Sequence, residues 1–88
     1  MSSNIGHYPH RPMPLSAFSY DRTWDEIEAM LTLAEERKAD WKQCYDLCRI
    51  ESDRAGMKDA ARNFKALEGV EKTLRWVLGQ KGVENPLD

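Results

Sequence analysis

The stretch from Trp24 to Ala55 contains neither proline nor glycine. Apolar side chains recur through it at the three- and four-residue spacing of an amphipathic helix. The segment Thr23-Trp24-Asp25-Glu26 fits a capping box, in which the Thr23 hydroxyl and the Glu26 carboxylate satisfy free backbone amides at the start of a helix. The sequence therefore predicts a first helix over about 24–54, on the order of 45 Å long.

A second amphipathic helix is predicted over about 57–78, ending where Gly79 can occupy the position after the last helical turn. Gly56 is the natural turn residue, and Ser52 or Asp53 could cap the second helix. One continuous helix through Gly56 is the alternative, at a cost of about 1 kcal/mol for a glycine in a helix interior. The antiparallel hairpin is favoured because folding back buries both apolar stripes within one chain.

The segments outside the hairpin differ in composition from the helices. Pro9, Pro12 and Pro14 exclude a helix near the N-terminus, so residues 1–22 are predicted to form an extended arm along the helices of the same or a neighbouring chain. The hairpin occupies 23–79, and 80–88 form a short C-terminal tail.

The apolar residues of the first helix cover about half of its circumference at the helical spacing. A two-stranded coiled coil needs only a narrow seam, so a face this wide must contact more than one neighbouring helix. The sequence therefore predicts an all-α protein that forms a homo-oligomeric helical bundle. The residues expected in the core or the oligomer interface are Trp24, Ile27, Leu31, Trp41, Tyr45, Phe64, Leu67 and Leu74.

Composition bounds the location and the partners of the protein. The 88 residues are 41% hydrophobic and 32% charged, with a net charge of −2 and a mean hydropathy of −0.72. No apolar run is long enough to cross a bilayer, and the first residues lack the pattern of a secretory signal. We therefore expect a cytoplasmic protein with no membrane partner, and we regard nucleic acid as an unfavoured partner because the net charge is negative.

Catalytic and metal-binding signatures are weak in this sequence. It contains no Gly-rich phosphate loop, nucleophile elbow or HExxH motif, so we expect no catalytic residues and no enzymatic activity. A zinc site from His7, His10, Cys44 and Cys48 is the alternative to cysteines that simply pack in the core. Cys44 and Cys48 are spaced along one helix rather than across a turn, so we expect no metal ion and no cofactor.

Charge is distributed unevenly between the two helices. Segment 24–54 has nine acidic and five basic residues, whereas 57–78 has five basic and three acidic residues. Lysines recur every seven residues on the second helix, and they share one side with a glycine and a tryptophan. Such a side can attract phosphate, admit a ligand to the backbone and stack on a base. The candidate ligand-binding residues are Lys58, Arg62, Lys65, Gly69, Lys72 and Trp76, with Tyr20 from the arm.

The alternative interpretation of this side is purely structural. The lysines are then ordinary solvated residues, and Trp76 is covered by the arm or by another subunit. Two ion pairs are also expected along the second helix at the favourable spacing of four residues, Glu68 with Lys72 and Glu71 with Arg75.

The spacing Ala66-Leu67-x-x-Val70-Glu71-x-x-Leu74-x-Trp76 resembles the second helix of small phage proteins that sequester cyclic-nucleotide immune messengers. The resemblance implies a non-catalytic α-helical hairpin that assembles into multimers, with nucleotide pockets between subunits. Glu71 and Trp76 are the matched positions that could do more than pack in a core. The turn differs from that of the family, since "ESDRAGMKD" contains no proline.

Three functions are consistent with these features. The first is a phage accessory or anti-defence protein that sequesters a phosphate-bearing small ligand such as a cyclic nucleotide. The second is a structural or adaptor subunit, in a virion or a regulatory complex, whose N-terminal arm latches onto a neighbour. The third is an inhibitor that binds a host enzyme through the acidic face of the first helix.

Overall fold

The structure is a computed structural model that describes residues 17–88. Its fold is an antiparallel pair of α-helices. Helix α1 spans Trp24–Ile50 and helix α2 spans Arg54–Val77, and the described residues contain no strand. Side chains of α1 pair with side chains near the end of α2, as when Glu35 meets Arg75. The prediction of an all-α chain with two helices is confirmed. The first sixteen residues of the predicted arm lie outside the described part.

The start of α1 is held by the predicted capping box. The Glu26 amide donates to the Thr23 hydroxyl at 3.1 Å, and the Thr23 amide donates to the Glu26 carboxylate at 2.8 Å. The Thr23 amide is the main cause that lowers the pKa of Glu26 below its ordinary value, with the Arg22 charge contributing further. Both orphan amides are therefore satisfied by side chains.

The turn between the helices lies earlier than predicted. Helix α1 ends at Ile50 rather than near residue 54, because the chain reverses at Ser52, whose φ is +58°. The Ser52 amide donates to the Arg49 carbonyl at 3.2 Å, and the Asp53 amide donates to the Cys48 carbonyl at 2.8 Å. These two bonds form a Schellman motif, which ends a helix by satisfying its last carbonyls.

Gly56 belongs to the first turn of α2, so its prediction as the turn residue is wrong, as is the alternative of one continuous helix. Asp53 is the N-cap, as expected for one of two candidates, and accepts a hydrogen bond from the Gly56 amide at 2.9 Å. A Cβ atom at Gly56 would lie 2.6 Å from the Cys48 sulfur and 2.5 Å from an Asp53 carboxylate oxygen. The glycine is needed because the end of α1 approaches it closely.

The end of α2 follows the prediction. Gly79 has a φ of +75°, and its amide donates to the Trp76 carbonyl while the Gln80 amide donates to the Arg75 carbonyl, each at 3.0 Å. This is again a Schellman motif, here with the glycine that a left-handed backbone favours. The chain then turns away from the helix axis into the tail at 80–88.

The hairpin encloses little of its own apolar surface. Among the described residues, Ala34 and Ala60 are the buried hydrophobic residues, and no large side chain is fully buried. Trp24 is 65% exposed. The other residues expected in the core or the interface are half-buried, namely Ile27, Leu31, Trp41, Tyr45, Phe64, Leu67 and Leu74. Assembly into an oligomer stays a prediction.

Neither described helix is both long enough and apolar enough to span a lipid bilayer.

Candidate functional site

The two helices are joined by a network of charged side chains centred on Glu71. Glu71 faces α1 and is 3% exposed, and it is the buried charged residue of the described chain. Arg75 bridges two carboxylates, Glu71 at 3.0 Å and Glu35 on α1 at 2.6 Å. The expected Glu71–Arg75 pair is therefore present, and it extends across the helix interface.

Lys38 completes the network from α1. Its ammonium group donates to Glu71 Oε1 at 3.2 Å and lies 3.0 Å from Glu71 Oε2. The contact with Oε2 is an ion pair only. Oε2 is buried and accepts no hydrogen bond from the described residues. The Lys38 ammonium group also lies 5.4 Å from the centre of the Phe64 ring, within the range of a cation–π interaction.

One expected ion pair is absent. Glu68 was expected to pair with Lys72, but it lies 3.3 Å from Lys65 instead. The alternative partner is three residues earlier in the helix, which is equally close on a helical surface.

An open groove of about 710 Å³ lies beside this network, between α2, α1 and the C-terminal tail. Three predicted ligand-binding residues, Lys65, Gly69 and Lys72, line it together. The network contributes further walls, and the tail closes one side. The remaining lining residues are Lys38, Glu68, Glu71, Arg75, Gln80, Gly82, Val83 and Glu84.

The cations of the groove differ in how far they are neutralised. Lys38 and Arg75 share the buried Glu71 carboxylate, and Arg75 also pairs with Glu35, so two carboxylates already compensate the two charges. Lys65 pairs with Glu68, but its side chain is 83% exposed, where such a pair contributes little. Lys72 has no carboxylate within 4 Å in the described part of the chain. The positive charge open to a ligand is therefore carried mainly by Lys65 and Lys72.

The structure does not bring all seven predicted residues together. Lys58 borders a separate depression beside Tyr45, and Arg62 pairs with Asp59 at 3.6 Å. Trp76 is 48% exposed and follows Lys72 by one turn, but it does not line the groove. Tyr20 is 75% exposed and packs on Phe18 instead, with 5.6 Å between the ring centres. Ligand contacts by these residues stay predictions.

Sequence reasoning missed Lys38, Arg75 and the tail as walls of the groove. One signal was present, since Glu71 occupies a position of the apolar stripe between Leu67 and Leu74. A charged residue at such a position requires partners on the facing helix. The tail gave no comparable signal, because its return along α2 depends on the turn after Gly79.

Cys44 and Cys48 are unpaired and half-buried on α1. Burial is the main cause that raises the pKa of the Cys48 thiol, and a hydrogen bond with Cys44 adds to it. Residues 17–88 hold no cluster of three or more side chains suited to a metal ion. His7 and His10, the other members of the considered zinc site, lie outside the described residues.

Comparison of the chain with protein-family models, with curated proteins and with solved structures gives no match.

Proposed function

We propose that the protein is a non-catalytic, oligomeric helical hairpin whose groove binds a phosphate-bearing small ligand such as a cyclic nucleotide. The observation that carries this proposal is the convergence of Lys65, Gly69 and Lys72 on one groove of about 710 Å³. That volume lies within the range of about 300–1,000 Å³ that small-molecule sites occupy. The resemblance of 66–76 to phage proteins that sequester immune messengers supports the same class of ligand and an anti-defence role.

The spacing of the lysines favours an elongated ligand. Lys65 and Lys72 are separated by two helical turns, roughly 10 Å along the axis. Gly69 lies between them, and apart from its chain neighbours and the backbone of its own helix no atom lies within 4 Å of the place where its Cβ would be. A ligand with two phosphate groups could contact both ammonium groups and lie on the open backbone between them. This fits a cyclic dinucleotide better than a single inorganic phosphate.

The acidic lining residues limit what else can bind. Glu68 and Glu84 face the same groove as the two lysines. They would repel the continuous phosphate backbone of DNA or RNA, which needs an uninterrupted row of cations. They can accept hydrogen bonds from amino or hydroxyl groups of a nucleoside. The groove is therefore suited to a compact ligand with separated charges.

Calorimetric titration of cyclic di- and trinucleotides into the protein at tens of micromolar tests the proposal. Binding should weaken about tenfold or more in Lys65→Glu and Lys72→Glu, since each substitution replaces an attractive charge with a repulsive one. Lys42→Glu is the matched control, because the Lys42 side chain is 67% exposed and does not line the groove. Absence of heat with every nucleotide for the wild-type protein would refute the proposal.

Native mass spectrometry of protein purified from cells gives an independent test. Nucleotide-sized adducts on the wild-type protein that disappear in Lys65→Glu would support sequestration. The same adducts on both proteins would show that the ligand binds elsewhere.

A structural or adaptor subunit is the second candidate function. It is favoured by the apolar side chains that the hairpin leaves exposed on both helices, including Leu47 at 57% and Val70 at 41%. Under this hypothesis, deletion of residues 1–20 abolishes assembly, whereas Lys65→Glu and Lys72→Glu leave it unchanged. The opposite pattern in an assembly assay would reject the adaptor function.

The inhibitor hypothesis has less support from the arrangement of charges. Acidic residues of α1 are partly neutralised, since Asp46 pairs with Lys42 and Arg49, and Glu35 pairs with Arg75. If the protein nevertheless acts as an inhibitor, high salt should weaken its complex with a host enzyme, and charge reversals on α1 should have the largest effect. Salt-independent binding would exclude this mechanism.

A further inference from the structure

The hairpin has two faces of opposite character, and the charged network identifies one of them. Across the helices, Glu35 pairs with Arg75 and Lys38 pairs with Glu71. On each helix, these residues lie on the side that faces the other helix or directly beside it. The groove opens on this side, which we call the groove face.

Helical spacing places a second set of residues on the opposite side. At about 100° per residue, Met30 and Leu33 lie on the side of Ala34 away from Glu35. By the same spacing, Val70 and Val77 lie on the side of α2 away from Arg75. Because the charged sides of both helices share the groove face, these apolar sides must share the other one. Its exposed large apolar residues are Met30, Leu33, Leu47, Val70 and Val77, and we call it the apolar face.

We propose that a second copy of this chain packs its apolar face against this one, making a two-fold four-helix bundle with both grooves pointing outward. This deepens the oligomeric part of the proposed function by assigning the surface, and it does not depend on the groove ligand. The helices are 27 and 24 residues long. Two such helices side by side offer roughly 20 Å by 36 Å, or about 700 Å². That is close to the roughly 800 Å² per partner of a stable interface.

Two charges within the apolar face specify a second copy rather than an unrelated protein. Arg37 and Asp40 have opposite charges, and neither has an ion-pair partner among residues 17–88. A two-fold interface is self-complementary, so a contact between one residue of the first copy and a different residue of the second copy occurs twice. Arg37 is the midpoint of α1, which spans Trp24–Ile50. An antiparallel α1–α1 contact with its two-fold axis midway between residues 37 and 40 brings Arg37 of each copy to Asp40 of the other. That axis lies about 2 Å from the middle of α1, so the helices overlap along nearly their full length.

Light scattering after gel filtration tests the assignment. The wild-type protein should have twice the chain mass of 10.2 kDa. Leu33→Glu combined with Val70→Glu should shift it to the mass of one copy, because it places carboxylates on both helices of the apolar face. Ile50→Glu is the matched control, since Ile50 is 75% exposed but lies outside that face, and it should leave the mass unchanged. Equal loss of mass in the control would overturn the assignment.

A charge exchange keeps the proposal testable if the face variant fails to fold. Arg37→Glu and Asp40→Lys should each weaken dimerisation about tenfold, since each creates two like-charge contacts per dimer. The double variant restores opposite charges and should recover the wild-type dissociation constant within about threefold. Additive weakening in the double variant would overturn the pairing.

A wild-type mass of one copy would overturn the second-copy assignment and leave the face to another molecule or to residues 1–16. Neither the loss of the charge pairing nor a wild-type mass of one copy bears on the groove, whose ligand binding is tested separately by nucleotide titration.

Discussion

The Lys38 ammonium group and the Glu71 carboxylate, 3.0 Å apart, join α1 to α2 at the most buried charge of the described hairpin. Arg75 contacts the same carboxylate, so two cations share one anion. A buried carboxylate is costly unless it is paired, and removal of its charge leaves Lys38 without a carboxylate partner and Arg75 with Glu35 alone. The network therefore fixes the register of the two helices as well as one wall of the groove.

Glu71→Gln should destabilise the protein by about 2 kcal/mol. A buried pair broken from one side costs about 3–5 kcal/mol, and the figure is reduced here because Lys38 and Arg75 remain about one-third exposed to water. Urea unfolding followed by circular dichroism at one fixed protein concentration measures the change. Glu68→Gln is the control and should cost under about 0.5 kcal/mol, because Glu68 pairs with an exposed lysine. Equal effects in the two variants would contradict a central role for Glu71.

Ser52→Gly should stabilise the protein by about 0.5–1 kcal/mol. Ser52 holds a φ of +58°, where a side chain is unfavourable and glycine is not. The glycine adds flexibility to the unfolded chain, which offsets part of the gain. Thermal unfolding of Ser52→Gly beside Ser52→Ala separates the two effects. Ser52→Ala should show no gain, because alanine retains the Cβ atom, and a lower melting temperature for the glycine variant would disprove this account of the turn.

The ends of the helices could be predicted where the residue type is the one that the local backbone conformation favours. Thr23 with Glu26 and the glycine at 79 have one obvious role each, and both predictions are confirmed. The internal turn was misplaced because a serine takes the left-handed position, while the nearby Gly56 is required by the approach of Cys48. That approach depends on how the helices pack, which no local pattern reveals.

The site was predictable only in part for a similar reason. Periodicity on α2 placed Lys65, Gly69 and Lys72 on one side, and the structure brings them to one groove. It could not supply Lys38, because the register of α1 against α2 is a tertiary property. Trp24 shows the same limit, since its spacing fits the apolar stripe but its side chain is 65% exposed within one chain.

The stability that the capping box provides should depend on pH. The Thr23 amide lowers the folded-state pKa of Glu26 below its ordinary value of 4.5. A lowered carboxyl pKa stabilises the fold above the ordinary value, and this contribution is lost as the pH falls through the lowered pKa. Melting temperatures of the wild-type protein and Glu26→Gln should therefore differ at pH 7 and converge as the pH falls through the lowered pKa of Glu26. Glu28→Gln, which removes a carboxylate outside the cap, is the control, and a constant difference across this range for Glu26→Gln would exclude the linkage.

The glycines of α2 should respond in opposite ways to alanine. At Gly56 the new Cβ would meet Cys48 and Asp53 at 2.6 and 2.5 Å, so Gly56→Ala should destabilise the protein by about 1–3 kcal/mol. At Gly69 it would meet no atom within 4 Å, so Gly69→Ala should stabilise the helix by about 0.5–1 kcal/mol. Urea unfolding of the two variants checks both signs.

Gly69→Ala also separates folding from ligand binding. If a nucleotide lies against the backbone between Lys65 and Lys72, the added methyl group occupies part of its place, and affinity should fall about tenfold in a more stable protein. Ala66→Gly, on the same helix but outside the groove lining, provides the reverse control, with lower stability and unchanged affinity. Calorimetric titration of both variants with the same cyclic dinucleotide gives the comparison. Unchanged affinity in Gly69→Ala would place the ligand away from the helix backbone and remove Gly69 from the site.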